Sequence, residues 1–317
     1  MVFDKSSIWE LIEKGNNAYN RCEFKKAIEF YQKALDLSLK NGYKWGESAS
    51  SVGLGNAYSD LGEIRKAIEF YDQALAISRE IEDRQGESNA LDNLGLVYYS
   101  LGEIRKAIEY HEQALAIARE IEDRQGEGAD LGNLGAAYSA LGEIRKAIEY
   151  HEQALAIARE NEYRQLEGNT LGNLGDAYSA LGEIRKAIEY HEQALAIARE
   201  IGSMEGEGIW LLSLGEADMV FGDWDKSLQL FNDALKIFET MDNLTGQAEI
   251  LSNIGELQIK SGEWEDAKRN LEKSLVLYEK TTPMGAIDVL MNLGELDSVE
   301  DKYEEAFSKF QKALTIA

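Results

Sequence analysis

The sequence predicts an all-α solenoid of eight helix–turn–helix repeats, and three observations carry that prediction. The stretch LGEIRKAIEYHEQALAIARE stands unchanged at 101–120, 141–160 and 181–200. Small residues recur at the same step, at Ala27, Ala67, Ala107, Ala147, Ala187, Ser227, Ala267 and Ala306, all forty apart except a final step of 39. A parallel glycine series runs through Gly15, Gly55, Gly95, Gly135, Gly175, Gly215, Gly255 and Gly294. A fixed period of this kind marks one stack of similar units rather than two ordinary domains. The units fall at about 5–42, 43–82, 83–122, 123–162, 163–202, 203–242, 243–281 and 282–317, so a single repeat domain fills the 317 residues.

Each unit reads as two helices. In the second, Ile104, Ala107, Ile108, His111, Ala114 and Leu115 follow the i, i+3, i+4, i+7 spacing of one helical face. The first is shorter in its apolar pattern, with Leu131, Leu134, Tyr138 and Leu141 along one stripe. Leu141-Gly142 supplies the tight break between them. Between units, one position reads Asp83, Asp123, Ser203 and Asn243, side chains that accept a bond from the unpaired N–H groups of a starting helix. Thr282 before Pro283 is expected to serve the same purpose in the last unit, with proline tolerated at the first helical position. A lone hairpin of this type cannot bury its apolar faces, whereas stacked copies bury them against one another. Identical faces then meet identical faces, which accounts for the verbatim repetition.

The pattern Leu134-Gly135-x-x-Tyr138, followed by Ala147, His151 and Ala154, resembles the tetratricopeptide repeat. That family usually has a 34-residue period and a proline ending the second helix; here the period is forty and that proline is missing. The longer form, with GNLG, AIEYHEQALAIA and DRQGE, is similar to the repeats of the Pins/LGN adaptors and, more loosely, of kinesin light chains. The resemblance implies a right-handed superhelical solenoid that binds proteins. Units one and six to eight depart from it, because Ala18, Asp218, Gln258 and Asp297 replace the tyrosine found at 58, 98, 138 and 178. Their packing is expected to be looser or differently arranged.

Charge narrows the partner. The chain carries 33 basic and 58 acidic residues, a net −25. Phosphate binding depends on neutralising charge with Lys and Arg, so nucleic acid and anionic membrane surfaces are disfavoured, and a neutral-to-basic partner is favoured. The single cysteine, Cys22, forms no internal disulfide, which fits a reducing compartment. The opening MVFDKSSIWELIEK lacks the basic start and apolar core of a signal peptide, and no apolar run approaches the ~18–20 residues of a membrane span. A cytoplasmic location follows as the expectation.

No catalytic or metal chemistry is expected, and no cofactor. An active site needs unlike groups at one point, whereas repetition places like groups at different points. His111, His151 and His191 share one repeat position, held elsewhere by Tyr31, Tyr71, Phe231 and Phe310. They read as packed rings, too far apart across helices spaced ~8–10 Å to share a zinc ion. Columns such as Glu103, Glu143 and Glu183 read as solvated faces, and GEGADLGNLG lacks the strand and the Lys-Ser/Thr of a phosphate loop.

The groove is the informative surface. In tetratricopeptide repeats the first helices line a concave face, where two positions, six and two residues before the glycine series, hold an extended peptide. In chaperone-binding members and in Pins/LGN, a basic residue at the earlier position grips acidic groups and Asn at the later one bonds backbone. Carried over, the later position reads Asn93, Asn133, Asn173, Asn253 and Asn292. The earlier reads Asn89, Ala129, Asn169, Ile209, Glu249 and Asp288, with every basic residue missing. An Asn ladder thus remains without its charge clamp, able to donate to and accept from any main chain. Gly132 and Gly172 are expected to let a backbone approach, and the acids Asp92, Asp176, Glu216, Glu256 and Glu295 to favour a cationic ligand. The competing expectation is that these asparagines bond neighbouring helices. Two other functions stand beside the peptide scaffold. One is self-association through the apolar residues Phe307, Phe310, Leu314 and Ile316 of the last helix, and the other is ligand sensing within a larger regulator.

Overall fold

The computed structural model describes residues 5–316, which form sixteen α-helices and a 3-10 turn, with no strand among the described residues. The helices are α1 (Ser6–Tyr19), α2 (Phe24–Asn41), α3 (Lys44–Asp60), α4 (Ile64–Glu80), α5 (Arg84–Ser100), α6 (Ile104–Glu120), α7 (Arg124–Ala140) and α8 (Ile144–Glu160). They continue as α9 (Arg164–Ala180), α10 (Ile184–Glu200), α11 (Met204–Phe221), α12 (Trp224–Thr240), α13 (Leu244–Ser261), α14 (Trp264–Lys280), α15 (Ala286–Val299) and α16 (Tyr303–Ile316). The chain divides after Leu166 into two compact units. Within the first, each helix packs on the next, and the first helices of neighbouring repeats also touch, α1 on α3, α3 on α5 and α5 on α7. In the second unit the same succession holds, with α11 also on α13. The odd-numbered helices therefore form an inner layer, continuous from α1 to α7 in the first unit. No described helix is long and apolar enough to cross a membrane.

The turns follow the sequence closely. Within a repeat the chain reverses at a left-handed glycine, such as Gly102 at φ +74° and Gly142 at φ +76°. Its amide and the next one bond back to the preceding helix, as in Gly102 N to Tyr99 O and Glu103 N to Tyr98 O, both 2.9 Å. Between repeats, the carboxylates of Asp83 and Asp123, the hydroxyl of Ser203 and the amide oxygen of Asn243 each accept from a glycine N–H three residues on, at 3.0–3.1 Å. Thr282 does not act this way. Its side chain makes no capping bond, and Pro283–Gly285 instead wind a 3-10 turn in which Gly285 N bonds the Thr282 carbonyl at 2.9 Å. The tighter turn takes the N–H toward main chain, leaving the hydroxyl nothing to cap.

The two small-residue series are halves of one joint. Ala27, Ala67, Ala107, Ala147, Ala187 and Ala267 are fully buried, and Ser227 keeps its place by donating Oγ–H to the Gly215 carbonyl at 2.7 Å. Each series glycine lies under the side chain sixteen residues later. A Cβ on Gly55 would stand 2.4 Å from the Tyr71 ring, one on Gly135 2.4 Å from His151, and one on Gly215 2.5 Å from Phe231. The glycines therefore provide the space that brings the two helices of a hairpin together around a ring, or around Leu271 in the case of Gly255.

A second column runs beside the first. Tyr58–Phe70, Tyr98–Tyr110, Tyr138–Tyr150 and Tyr178–Tyr190 stack at 5.3–5.5 Å between ring centres, with their planes nearly parallel. The ammonium groups of Lys66, Lys106, Lys146 and Lys186 stand 3.7–4.8 Å over the first ring of each pair. In the last three repeats, which lack this tyrosine, the joint is rearranged. Buried Asp218 pairs with Lys226 at 2.9 Å, Gln258 accepts from Asn270 at 2.9 Å, and buried Asp297 takes Lys268 at 2.8 Å together with Lys309. Stacked rings give way to hydrogen bonds and ion pairs at the same positions.

Candidate functional site

The inner layer of the first unit encloses a cavity of about 660 Å³ between α1, α3 and α5. Its wall is aromatic and amide in character, with Trp9, Tyr19, Tyr31 and Trp45 beside Asn16, Asn20, Asn56 and Asn89. The two indoles are 44% and 49% exposed, unusual for the largest apolar side chains, so they present a face to whatever enters. Trp9 is held by an Nε1–H bond to Tyr43 Oη at 3.2 Å. The amides are oriented from below. Tyr31 donates its hydroxyl to Asn16 Oδ1 and Tyr71 donates to Asn56 Oδ1, both at 2.7 Å. With each carbonyl oxygen committed inward, it is the NH₂ group that is turned outward as a donor. Only Asp83 among the lining residues is charged.

Two smaller hollows share this character. One of about 280 Å³ in the first unit is lined by Tyr19, Asn56, Asp60, Tyr71 and Asn93. One of about 520 Å³ in the second unit is lined by Asp176, His191, Ser213, Glu216 and Val220. None of the three has a Lys or Arg in its wall.

The residues predicted for the groove divide between these hollows and the joints. Asn89 lines the large cavity, Asn93 the small one and Asp176 the hollow of the second unit. Asn93 also donates to its own helix, to the Asn89 carbonyl at 2.8 Å. Asn133 donates to Asp92 Oδ1 at 2.9 Å and Asn253 to Glu216 Oε1 at 2.7 Å, each bridging two first helices in the way the competing expectation described. Asn169 is exposed on α9, while Asn173 on α9 and Asn292 on α15 are half-buried. Gly172 does not open the groove. A Cβ there would fall 2.0 Å from Trp210, whose indole occupies the space that a peptide backbone was expected to use. At Gly132 the space is open.

Charge is graded between the units. The position after each series glycine reads Asn16, Asn56, Leu96 and Ala136 in the first unit, then Asp176, Glu216, Glu256 and Glu295 in the second. Glu256 is paired with Lys260 at 2.7 Å. Burial pushes the Glu216 carboxyl above its ordinary range, against the bond from Asn253.

Trp9, Trp45, Asn16 and Asn56 were not singled out from the sequence. Their signal is the break in repetition, since the first repeats carry large rings where later ones carry small or polar residues. The histidines are packed rings, each 1% exposed. His111 alone has two carboxylates beside it, from Asp92 and Asp130. Burial and the charge of Asp92 push the Asp130 carboxyl well above the carboxylate range.

A stack of helix pairs with small residues at the crossings defines an α-helical repeat protein. The tetratricopeptide repeat family profile matches residues 8–80, 46–120, 86–160, 129–200 and 207–280, and the chain belongs to that family. A search of curated proteins returns no match. Among solved structures it is similar to the apo form of the quorum sensor NprR from B. thuringiensis, at 16% identity and a TM-score of 0.77, covering 99% of this chain and 89% of that one. It is also similar to a Rap protein complexed with Competence and Sporulation Factor, at 17% identity and a TM-score of 0.66, covering 99% and 98%. A putative kinesin light chain from Podosopora anserina, with nearly identical TPR-like repeats, matches at 23% identity and a TM-score of 0.54, covering 64% of this chain and 99% of that one.

Proposed function

We propose that the protein is a cytoplasmic interaction scaffold whose inner helices hold an extended, neutral-to-basic segment of a partner. The observation that carries this reading is the lining of the three inner hollows, which offers indole faces, amides and carboxylates but no lysine or arginine. Amides turned outward by Tyr31 and Tyr71 suit a main chain, whose carbonyls accept from any residue. Indole faces suit apolar or cationic side chains. The acids of the second unit suit cations and repel a phosphorylated or acidic partner. The fold neighbours, a quorum sensor and a protein holding Competence and Sporulation Factor, support a protein- or peptide-binding role in general terms.

Peptides selected on the full chain from a random display library test this reading. They are expected to be enriched in Lys and Arg, and to lose ~1–3 kcal/mol of binding in the variant N93A/N133A/N173A, since each hydrogen bond contributes ~0.5–1.5 kcal/mol. W9A/W45A is expected to weaken them at least as much. Enrichment in acidic sequences, or affinity unchanged in both variants, overturns it.

A specific observation favours a second reading, self-association through α16. Tyr303, Phe307 and Leu314 are 65%, 68% and 79% exposed on that helix. Light scattering over a concentration series is expected to show a mass above 35.5 kDa that F307E/L314E returns to the monomer. A monomer at every concentration removes this reading.

A further inference from the structure

The joint between the third and fourth repeats contains the one group of three metal-ligand side chains among the described residues. Asp92 comes from α5, His111 from α6 and Asp130 from α7, and their donor atoms all lie within 4.8 Å of one another. His111 Nδ1 is 3.0 Å from Asp92 Oδ1 and 3.9 Å from Asp130 Oδ1. Two donors of a tetrahedral ion with bonds of about 2.0–2.2 Å stand roughly 3.3–3.6 Å apart, a value between the two separations.

Neither acid belongs to the repeat pattern. The place of Asp92 is held by Val52, Gly132, Gly172 and Leu212 in other units, and that of Asp130 by Ser50, Ala90, Thr170 and Trp210. Two separate departures from consensus, in adjacent repeats, converge on one histidine. His151 and His191 lie in the same packing environment, yet neither belongs to such a group.

The imidazole supplies the second observation. His111 is 1% exposed, and its Nδ1 makes no hydrogen bond, as at His151 and His191, but at His111 alone two carboxylates face that nitrogen, Asp92 Oδ1 at 3.0 Å and Asp130 Oδ1 at 3.9 Å. A ring nitrogen and a carboxylate oxygen this close, with no hydrogen bond between them, keep lone pairs that one shared ion can take. Asn133 Nδ2–H fixes the Asp92 carboxylate at 2.9 Å, the outer support that metal-binding carboxylates receive. The Asp92 side chain is 31% exposed, which leaves a route in from the inner face.

We propose that Asp92, His111 and Asp130 bind one divalent transition-metal ion of the Zn²⁺ class, with a further coordination position open to the inner layer. Two carboxylates balance the charge of a divalent ion, and the imidazole nitrogen selects it over Mg²⁺ or Ca²⁺, which take oxygen ligands. The ion ties α5, α6 and α7 together and so fastens one repeat to the next. The site adjoins the proposed peptide groove and shares Asn133 with it, but its test reads metal binding and not peptide affinity.

The test is a Zn²⁺ titration of the chelator-stripped full chain, in physiological salt with excess Mg²⁺ to occupy surface acids, followed by calorimetry. D92G, D130T and H111F each install a residue that another repeat carries at that position, so the fold has a precedent for every change. One equivalent is expected to bind the unaltered chain, about tenfold or more weakly in each of the three variants, and without change in H151F. Co²⁺ in place of Zn²⁺ is expected to give the visible absorption of a low-coordinate site in the unaltered chain and not in H111F. Should D130T fail to fold by circular dichroism, the partly exposed Asp92 decides through D92G. Absence of saturable binding overturns the proposal, as does binding that persists in the variants.

Discussion

Acidifying the protein from pH 7 to pH 4 will destabilise it through His151 and His191, by about 3 kcal/mol for each ring. Both are 1% exposed, and burial lowers each to about 4 from an ordinary value of 6.5. The buried ring resists protonation while the unfolded chain accepts the proton freely. The contribution is therefore complete above pH 6.5 and is lost as the pH falls toward 4, where about 3 kcal/mol per ring has gone. Carboxylates titrate in the same range, so the comparison must isolate the histidines. H151F/H191F does so, because Phe231 and Phe310 fill the equivalent place over Gly215 and Gly294. Urea midpoints measured between pH 7 and 4 are expected to fall more steeply for the unaltered chain than for the double variant. Parallel curves would show that these rings reach solvent or keep their protons when folded.

Removing both lysines from Asp297 will cost about 3–5 kcal/mol, the usual penalty for leaving a buried carboxylate without its counter-charges. Asp297 is 1% exposed; Lys268 donates to Oδ1 at 2.8 Å and Lys309 to Oδ2. Burial alone would push its carboxyl up, but the two ammonium groups outweigh that and hold it below the ordinary range. K268M/K309M keeps the aliphatic stems and deletes only the charges. D297L/K268M/K309M is expected to recover most of the loss, since an apolar joint of similar volume is often as stable as a buried ion pair. Chemical denaturation of the three chains provides the comparison. A mild double variant, or a triple variant no better than the double, would show that water already screens this carboxylate.

Repetition made the fold legible and hid the site. The forty-residue step in Gly135 and Ala147, the Leu141-Gly142 break and the cap at Asp123 each report a contact within one hairpin or its next turn, and the structure places them there. Thr282 misled because a missing residue nearby changes the turn rather than merely shortening it. Gly172 misled because its neighbour across the joint is Trp210, a departure from consensus that only packing reveals. The cavity around Trp9 and Trp45, and the meeting of Asp92, His111 and Asp130, depend on helices of successive repeats. No single helical face lists those partners. What could have found them was attention to the residues that break the pattern, since conformity describes the scaffold and exceptions describe its use.

The identical joints have an evolutionary consequence. Ala140-Leu141 and Ala180-Leu181 are the same dipeptide in the same surroundings, so a recombination slip between them removes or adds a whole brick without a scar. Every left-handed turn, cap and glycine–ring pair of the remaining bricks survives such an exchange in its local sequence. Trp9 and Trp45, and the group Asp92, His111 and Asp130, all lie before Leu141, so an exchange at this point leaves the spacing within each set unchanged.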